Sequence, residues 1–253
     1  MAKKKAKPPS KIRSERANLQ TVKAGGRTIS TLKAGVSPDT FLHDDSFANS
    51  RRASNEFATA GKMSGLLRKA LSTLHGIPKK ETQTRLTAQM AKLIRTAKAA
   101  DPLFNDLNTV PVAALRGFSF NRATYLNNIL GADYSIDYNV QTGQVVVTIP
   151  PFTTNIVKRA PYATHFLLFA AAAAIDFNHQ QFVRKEHTTT IDLAYHTEPA
   201  ISISLELPAP VVHPLFVVMG VGFLKEEGGK LYELSNEQFN ALEIVLAKNA
   251  PVT

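Results

Sequence analysis

The hydrophobic pattern of this chain changes period once, near Asp133, and that change restricts the folds open to it. Upstream, apolar residues recur at helical spacing. Leu86, Met90, Leu93 and Ile94 fall at i, i+4, i+7 and i+8, one stripe along a helix expected from about Glu81 to Ala100. Downstream, Tyr134, Ile136 and Tyr138 alternate with polar residues. The turn Asn139–Gly143 then leads into Val145–Ile149, closed by Pro150 and Pro151, which reads as a hairpin.

The rest of the chain fills in around that break. A first helix is expected after a cap at Asp45 or Ser46, with Phe47, Phe57, Leu66, Leu67, Ala70, Leu71 and Leu74 as its apolar positions. Gly61 and Gly65 lie inside it and cost stability unless something packs closely there, so a bend or two shorter helices are expected. Gly76 and Pro78 end it. Val110–Leu130 reads as a short helix or irregular segment broken by Gly131. Further strands are expected at Thr164–Phe177, Gln181–Thr188, Thr190–Tyr195, Ile201–Leu207 and Leu215–Leu224, with a last hairpin at Gly228-Gly229. Gln238–Leu246 suits strand or helix. The fold class is α+β: a basic N-terminal arm (1–34), a helical region holding a helical hairpin (35–131) and a C-terminal antiparallel β-sandwich (132–253).

Charge is divided along the same line. The net charge is +10, but the first 100 residues hold 21 Lys and Arg against 6 Asp and Glu, and the rest hold 9 against 14. A chain so divided attracts polyanions through one half and can attract its own copies through both. In the arm, Lys3, Lys4, Lys5, Lys7, Lys11, Arg13, Arg16, Lys23, Arg27 and Lys33 are the candidate contacts, with Arg51, Arg52, Lys62, Arg68 and Lys69 extending them onto the first helix. Large apolar residues are few before residue 35, so an extended arm, ordered only by a partner, is expected. No aromatic residue is interleaved there, so the arm would hold phosphates without stacking on bases.

Catalytic patterns are missing. The chain has no cysteine, which excludes disulfides, thiolate metal sites and a cysteine nucleophile. Its seven histidines form neither H-E-x-x-H nor H-x-H; His187 and His196 flank a turn region and could meet across a hairpin, although surface histidines are the simpler reading. Ser64, in Gly61–Gly65, is not in a nucleophile elbow and suits helix packing. Gly220 and Gly222 make a lone G-x-G inside an apolar strand, with no third glycine and no helix behind it. The acids Asp133, Asp137, Asp176, Asp192 and Glu206 should mostly face solvent on alternating strands. No cofactor, metal or small-molecule substrate is implied. The apolar runs Phe166–Ile175 and Pro214–Leu224 are roughly half of a bilayer span, and no apolar segment follows the lysine-rich start, so a soluble cytoplasmic protein is expected.

Several segments carry a resemblance. They are Asp45–Phe47, Arg51, Glu56-Phe57, Ala60–Lys62, Leu66–Leu71, Arg85–Thr87 with Met90, and Gly117–Asn121. In the β region they are Ala163–Phe166, Ile175–Phe177, His213–Phe216, Tyr232 and Phe239–Leu242. Together, over about residues 40–246, they resemble a family of uncharacterised proteins of Bacteroidota-type bacteria. The resemblance implies a helical region followed by a C-terminal β domain, and it brings no activity with it. The longer lysine-rich arm departs from the family's short glycine-containing opening segment.

These readings converge on a non-enzymatic structural protein that self-assembles into a filament, tube or shell, its arm contacting RNA, DNA or a neighbouring subunit. Two alternatives remain open: a non-polymerising, sequence-nonspecific DNA- or RNA-binding protein, and a β-sandwich ligand-binding or adhesion module.

Overall fold

A computed structural model describes residues 19–24, 27–32, 36–71, 79–235 and 237–250. The chain forms two compact units, one ending at Ala53 and one beginning at Ser54.

In the first unit, β1 (Leu19–Ala24) and β2 (Arg27–Leu32) pair antiparallel, from Leu19 opposite Leu32 to Ala24 opposite Arg27. The sequence reading had only an extended arm through this stretch. In the sequence, Gly25-Gly26 is a dipeptide of the kind that marks turns. Helix α1 (Pro38–His43) follows, with Ser37 accepting a hydrogen bond from the Thr40 N–H and Pro38 in its first turn. A 3-10 turn, Asp45–Phe47, is capped by Asp44, which accepts from the Ser46 N–H at 2.9 Å.

Helix α2 (Ala48–Leu71) starts after that turn and runs through Gly61 and Gly65 as one helix. The expected bend or division is absent. Its buried positions, Ala60, Met63, Ser64, Leu67, Ala70 and Leu71, recur at helical spacing, and their packing offsets the glycine cost. The glycines themselves sit where an added Cβ would meet nothing within 4 Å, so close packing does not explain them.

The second unit is built in layers. Its main sheet runs β7 (Gln181–Asp192), β6 (His165–Asp176), β10 (Leu215–Glu227); the far edge of β10 pairs with β12 (Ala241–Lys248) and then with β11 (Lys230–Leu234). A second sheet, β3 (Ser135–Asn139), β4 (Gln144–Ile149), β9 (Ile201–Glu206), packs on one face of it. Helices α2 and α3 (Lys79–Ala100) pack on the other. Two short strands, β5 (Phe152–Thr153) and β8 (Thr197–Glu198), pair separately. From Ser54 onward the main sheet therefore carries a core on each face, one against the second sheet and one against the helices.

Strand β6 shows why. Alternate residues on a strand point to opposite faces. Phe166, Leu168, Ala170 and Ala172 enter the core against β4 and β9, while Phe169, Ala171, Ala173 and Ile175 enter the core against the helices. A run with no polar residue between Phe166 and Ile175 must be covered on both sides, and layers on both sides supply that cover. The helical stripe Leu86, Met90, Leu93 and Ile94 is buried as its spacing requires.

One detail departs from the sequence reading, and one ambiguity is resolved. The two strands expected at Gln181–Thr188 and Thr190–Tyr195 are one strand, paired in unbroken register from Gln181 opposite Asp176 to Asp192 opposite His165. The ambiguous Gln238–Leu246 segment is strand β12 over Ala241–Lys248. Short helix α4 (Leu126–Leu130) ends at Gly131, which caps it with φ 67°.

Candidate assembly edge and basic surfaces

The two outer edges of the main sheet differ. Along β12 the segment 117–120 lies as a strap. Gly117 N–H donates to Ile244 O at 2.8 Å, Ile244 N–H to Phe118 O at 3.0 Å, and Phe120 N–H to Leu242 O at 2.8 Å. That strap engages outward backbone groups of Leu242 and Ile244 in β12, while β11 completes the same side of the sheet. On the other side β7 pairs with β6 alone, and among the described residues no strand covers its far edge. It is 12 residues long, without proline and without a bulge against β6. Such an edge leaves a row of backbone donors and acceptors facing outward.

The side chains of β7 define the edge chemically. Most are exposed, and Ile191 alone is buried. Arg184, Lys185 and Glu186 form a charged run; Arg184 pairs with Glu186 and also donates to the Ala70 carbonyl at 3.3 Å, tying the edge to the last turn of α2. Beside the N-terminal end of β7 lies a groove of about 230 Å³, lined by Phe182, Val183, Pro208, Pro210, Val212 and His213. Val183 and Val212 are 45% and 53% exposed there. Beyond the C-terminal end, Tyr195 is 74% exposed.

Asp176 also lines the groove and is buried, against the expectation that such acids face solvent. It ends β6 and accepts from Asn108 Nδ2 at 2.9 Å, Asn178 N at 3.0 Å, His179 N at 3.2 Å and His179 Nδ1 at 2.7 Å. His213 Nε2 is 3.8 Å away. Burial alone would push this carboxyl up, but donation from Asn108 and His179, with His213 nearby, holds it down at about 2. The donors come from a turn and a loop and meet on this one carboxylate at the end of β6, so the arrangement acts as a joint. The sequence Asp176-Phe-Asn-His179 could have indicated it, since Asp at the head of a turn accepts from the N–H groups two and three residues on.

The basic candidates distribute unevenly. Lys3, Lys4, Lys5, Lys7, Lys11, Arg13, Arg16 and Lys33 lie outside the described residues. Lys23 sits on β1 opposite Thr28, and Arg27 on β2 opposite Ala24. In the first unit Arg51 donates through Nη1 to the carbonyls of Phe41 and Asp44, both at 2.7 Å, bracing the chain before α2, while Arg52 is exposed. In the second unit Lys62 and Lys69 are exposed, whereas Arg68 is half-buried and donates to Gln83. Arg85 donates to Ser119 O and lies over the Phe118 ring at 4.9 Å. Its Nη1 is buried with no hydrogen-bond partner among the described residues.

The histidine pair considered from the sequence does not meet across a hairpin. His187 on β7 stands opposite Ala170 and contacts Thr189, while His196 contacts the Ala194 carbonyl and Glu198. Donation to Glu198 and to the Ala194 carbonyl raises the His196 value. Ser64 is buried in the seam between α2 and α3, where it bonds the Gly61 carbonyl, Thr87 and Gln83. Among the described residues, no group of three His, Asp or Glu side chains is placed to hold a metal ion, and no helix is long and apolar enough to cross a membrane.

No family model, no curated protein and no solved structure matches this chain.

Proposed function

We propose that this chain is a non-enzymatic structural protein that associates with copies of itself, its basic N-terminal segment contacting nucleic acid or a neighbouring subunit. The observation that carries the reading is β7, a long, regular edge strand that no other strand covers among the described residues, in a sheet whose opposite side is strapped along part of β12. Monomeric proteins ordinarily blunt such an edge with a short strand, a proline, a bulge or a cover. Here only the charged run Arg184–Glu186 does so. The split of charge supports the second half of the reading: a basic first hundred residues and an acidic remainder let one copy receive the next.

Size and absorbance test it together. The full chain, purified at moderate salt, should scatter light as particles larger than one chain and show regular objects by negative stain. A nuclease-sensitive excess at 260 nm would assign the basic segment to nucleic acid, and its loss on deleting residues 2–34 would locate the contact. A monomer at every concentration overturns the assembly reading. Particles free of 260 nm excess, which dissociate when residues 2–34 are deleted, assign the basic segment to a neighbouring subunit.

A further inference from the structure

We propose that the uncovered edge of β7 is the docking site for β7 of a second copy, paired antiparallel about a twofold axis through His187. The inference rests on the self-assembly reading and names its contact.

The register follows from symmetry and charge. A twofold axis normal to a sheet keeps each face on its own side, so it must pass through a residue and not between two. Two such axes preserve nearly the whole strand. One passes through Glu186 and sets it against Glu186 of the second copy, a like-charge opposition that destabilises a strand pair. The other passes through His187. It sets Glu186, Lys185 and Arg184 against Thr188, Thr189 and Thr190 of the second copy, and Val183 against Ile191. Every charged side chain of the run then faces a threonine, and the run that guards the edge against random partners is tolerated by this one.

What lies beyond the strand ends supports the same partner. Antiparallel pairing brings the C-terminal end of one β7 beside the N-terminal end of the other. The exposed Tyr195 of the second copy then stands abreast of His179–Gln181, at the mouth of the groove between Phe182, Val183, Pro210 and Val212. By symmetry the first copy's Tyr195 does the same. An exposed aromatic at one end and an apolar groove at the other become complementary only in a twofold pair.

The chain has no cysteine, so single cysteines report the register directly. His187→Cys, in the full chain under a mild oxidant, should convert most molecules to a disulfide dimer reversible by reductant. Lys185→Cys should not, because its counterpart lies four residues off register, about 13 Å along the strand. Mixing Lys185→Cys with Thr189→Cys should give the mixed dimer. Tyr195→Ala should weaken dimerisation about tenfold by analytical ultracentrifugation. If the unmodified chain is larger than a monomer but Cys at 187 cross-links no better than Cys at 185, this contact is wrong and assembly uses another surface. Cross-linking of Lys185→Cys to itself in place of 187 overturns the register. A chain that stays monomeric at all concentrations removes both this contact and the assembly reading.

Discussion

Ser64 Oγ and Thr87 Oγ1 lie 2.7 Å apart, both buried, in the seam where α2 meets α3. Gln83 donates to both, at 2.9 and 3.1 Å, and is itself held by Arg68. A small hydroxyl permits close approach of the two helices, and the shared network satisfies every hydroxyl it buries. Ser64→Ala should cost about 1–2 kcal/mol, the range for leaving a buried partner short of a hydrogen bond. Urea unfolding monitored by circular dichroism measures it. A cost near zero would show that Thr87 and Gln83 find other partners.

Basic side chains on α2 should separate into two kinds. Arg68→Ala should lower stability by about 1 kcal/mol, because it removes the donor that orients Gln83. Lys62→Ala and Lys69→Ala should fall within about 0.5 kcal/mol of the parent, as exposed substitutions do. On nucleic acid the order should reverse: each lysine that meets a phosphate should reduce the slope of log K against log salt by about 1. Thermal melts and a salt titration of polyanion binding give the two measurements.

Gly61 and Gly65 cost α2 backbone entropy with no packing that requires them, since a Cβ at either would meet nothing within 4 Å. Alanine at each should raise stability by about 0.5–1 kcal/mol. Gly143 is the opposite case. It turns the β3–β4 hairpin at φ +69°, and a Cβ there would overlap the Leu207 carbonyl oxygen. Gly143→Ala should destabilise by at least about 2 kcal/mol, through strain and displacement of the 207–208 backbone together. Melting temperatures of the three variants decide the comparison.

Burial of Glu243 raises its carboxyl value, an effect that donation from the Leu126 N–H only partly opposes. A carboxyl whose folded value lies above its unfolded one takes stability away as pH rises through that interval. Glu243→Gln keeps an acceptor for Leu126 and removes the charge. The variant should melt higher than the parent at pH 7, and the difference should vanish near pH 3. An equal melting temperature at pH 7 would mean that the charge is already well solvated.

Which parts of this structure could be read from the sequence depended on how local the deciding physics was. The stripe Leu86, Met90, Leu93, Ile94 and the hairpin closed by Gly143 are set by spacing and turn chemistry within a few residues, and both were legible. The continuity of β7 was not: Thr188-Thr189-Thr190 looks like a break until β6 supplies a partner for every residue. Gly61 and Gly65 suggested a bend that the buried face of α2 overrides. Burial of Asp176 depends on Asn108, 68 residues away in sequence, and no pattern in one chain announces such a meeting. The uncovered edge is likewise a property of the assembled sheet, because only the finished strand order shows that β12 is strapped and β7 is not.

Asp176 should give the fold an acid limit that one substitution removes. Its carboxylate gathers Asn108, Asn178 N and both donors of His179, while Asn178 reaches Asp106 at 2.7 Å and accepts from Leu107 N at 2.9 Å. The joint thus ties the 106–109 loop to the β6–β7 turn, at the head of the uncovered edge. Its folded value, about 2, lies below the ordinary 3.8, so the carboxylate stabilises the fold fully above pH 4. That contribution is lost as pH falls from about 4 through 2. Asp176→Asn keeps one acceptor but aims a second donor at donors, and should cost about 1–3 kcal/mol at pH 7. The gap between parent and variant should stay constant from pH 7 to pH 4 and then close towards pH 2. Denaturant unfolding at a series of pH values reads that gap, and a gap that stays open at pH 2 would place the acid sensitivity of the parent in another carboxylate.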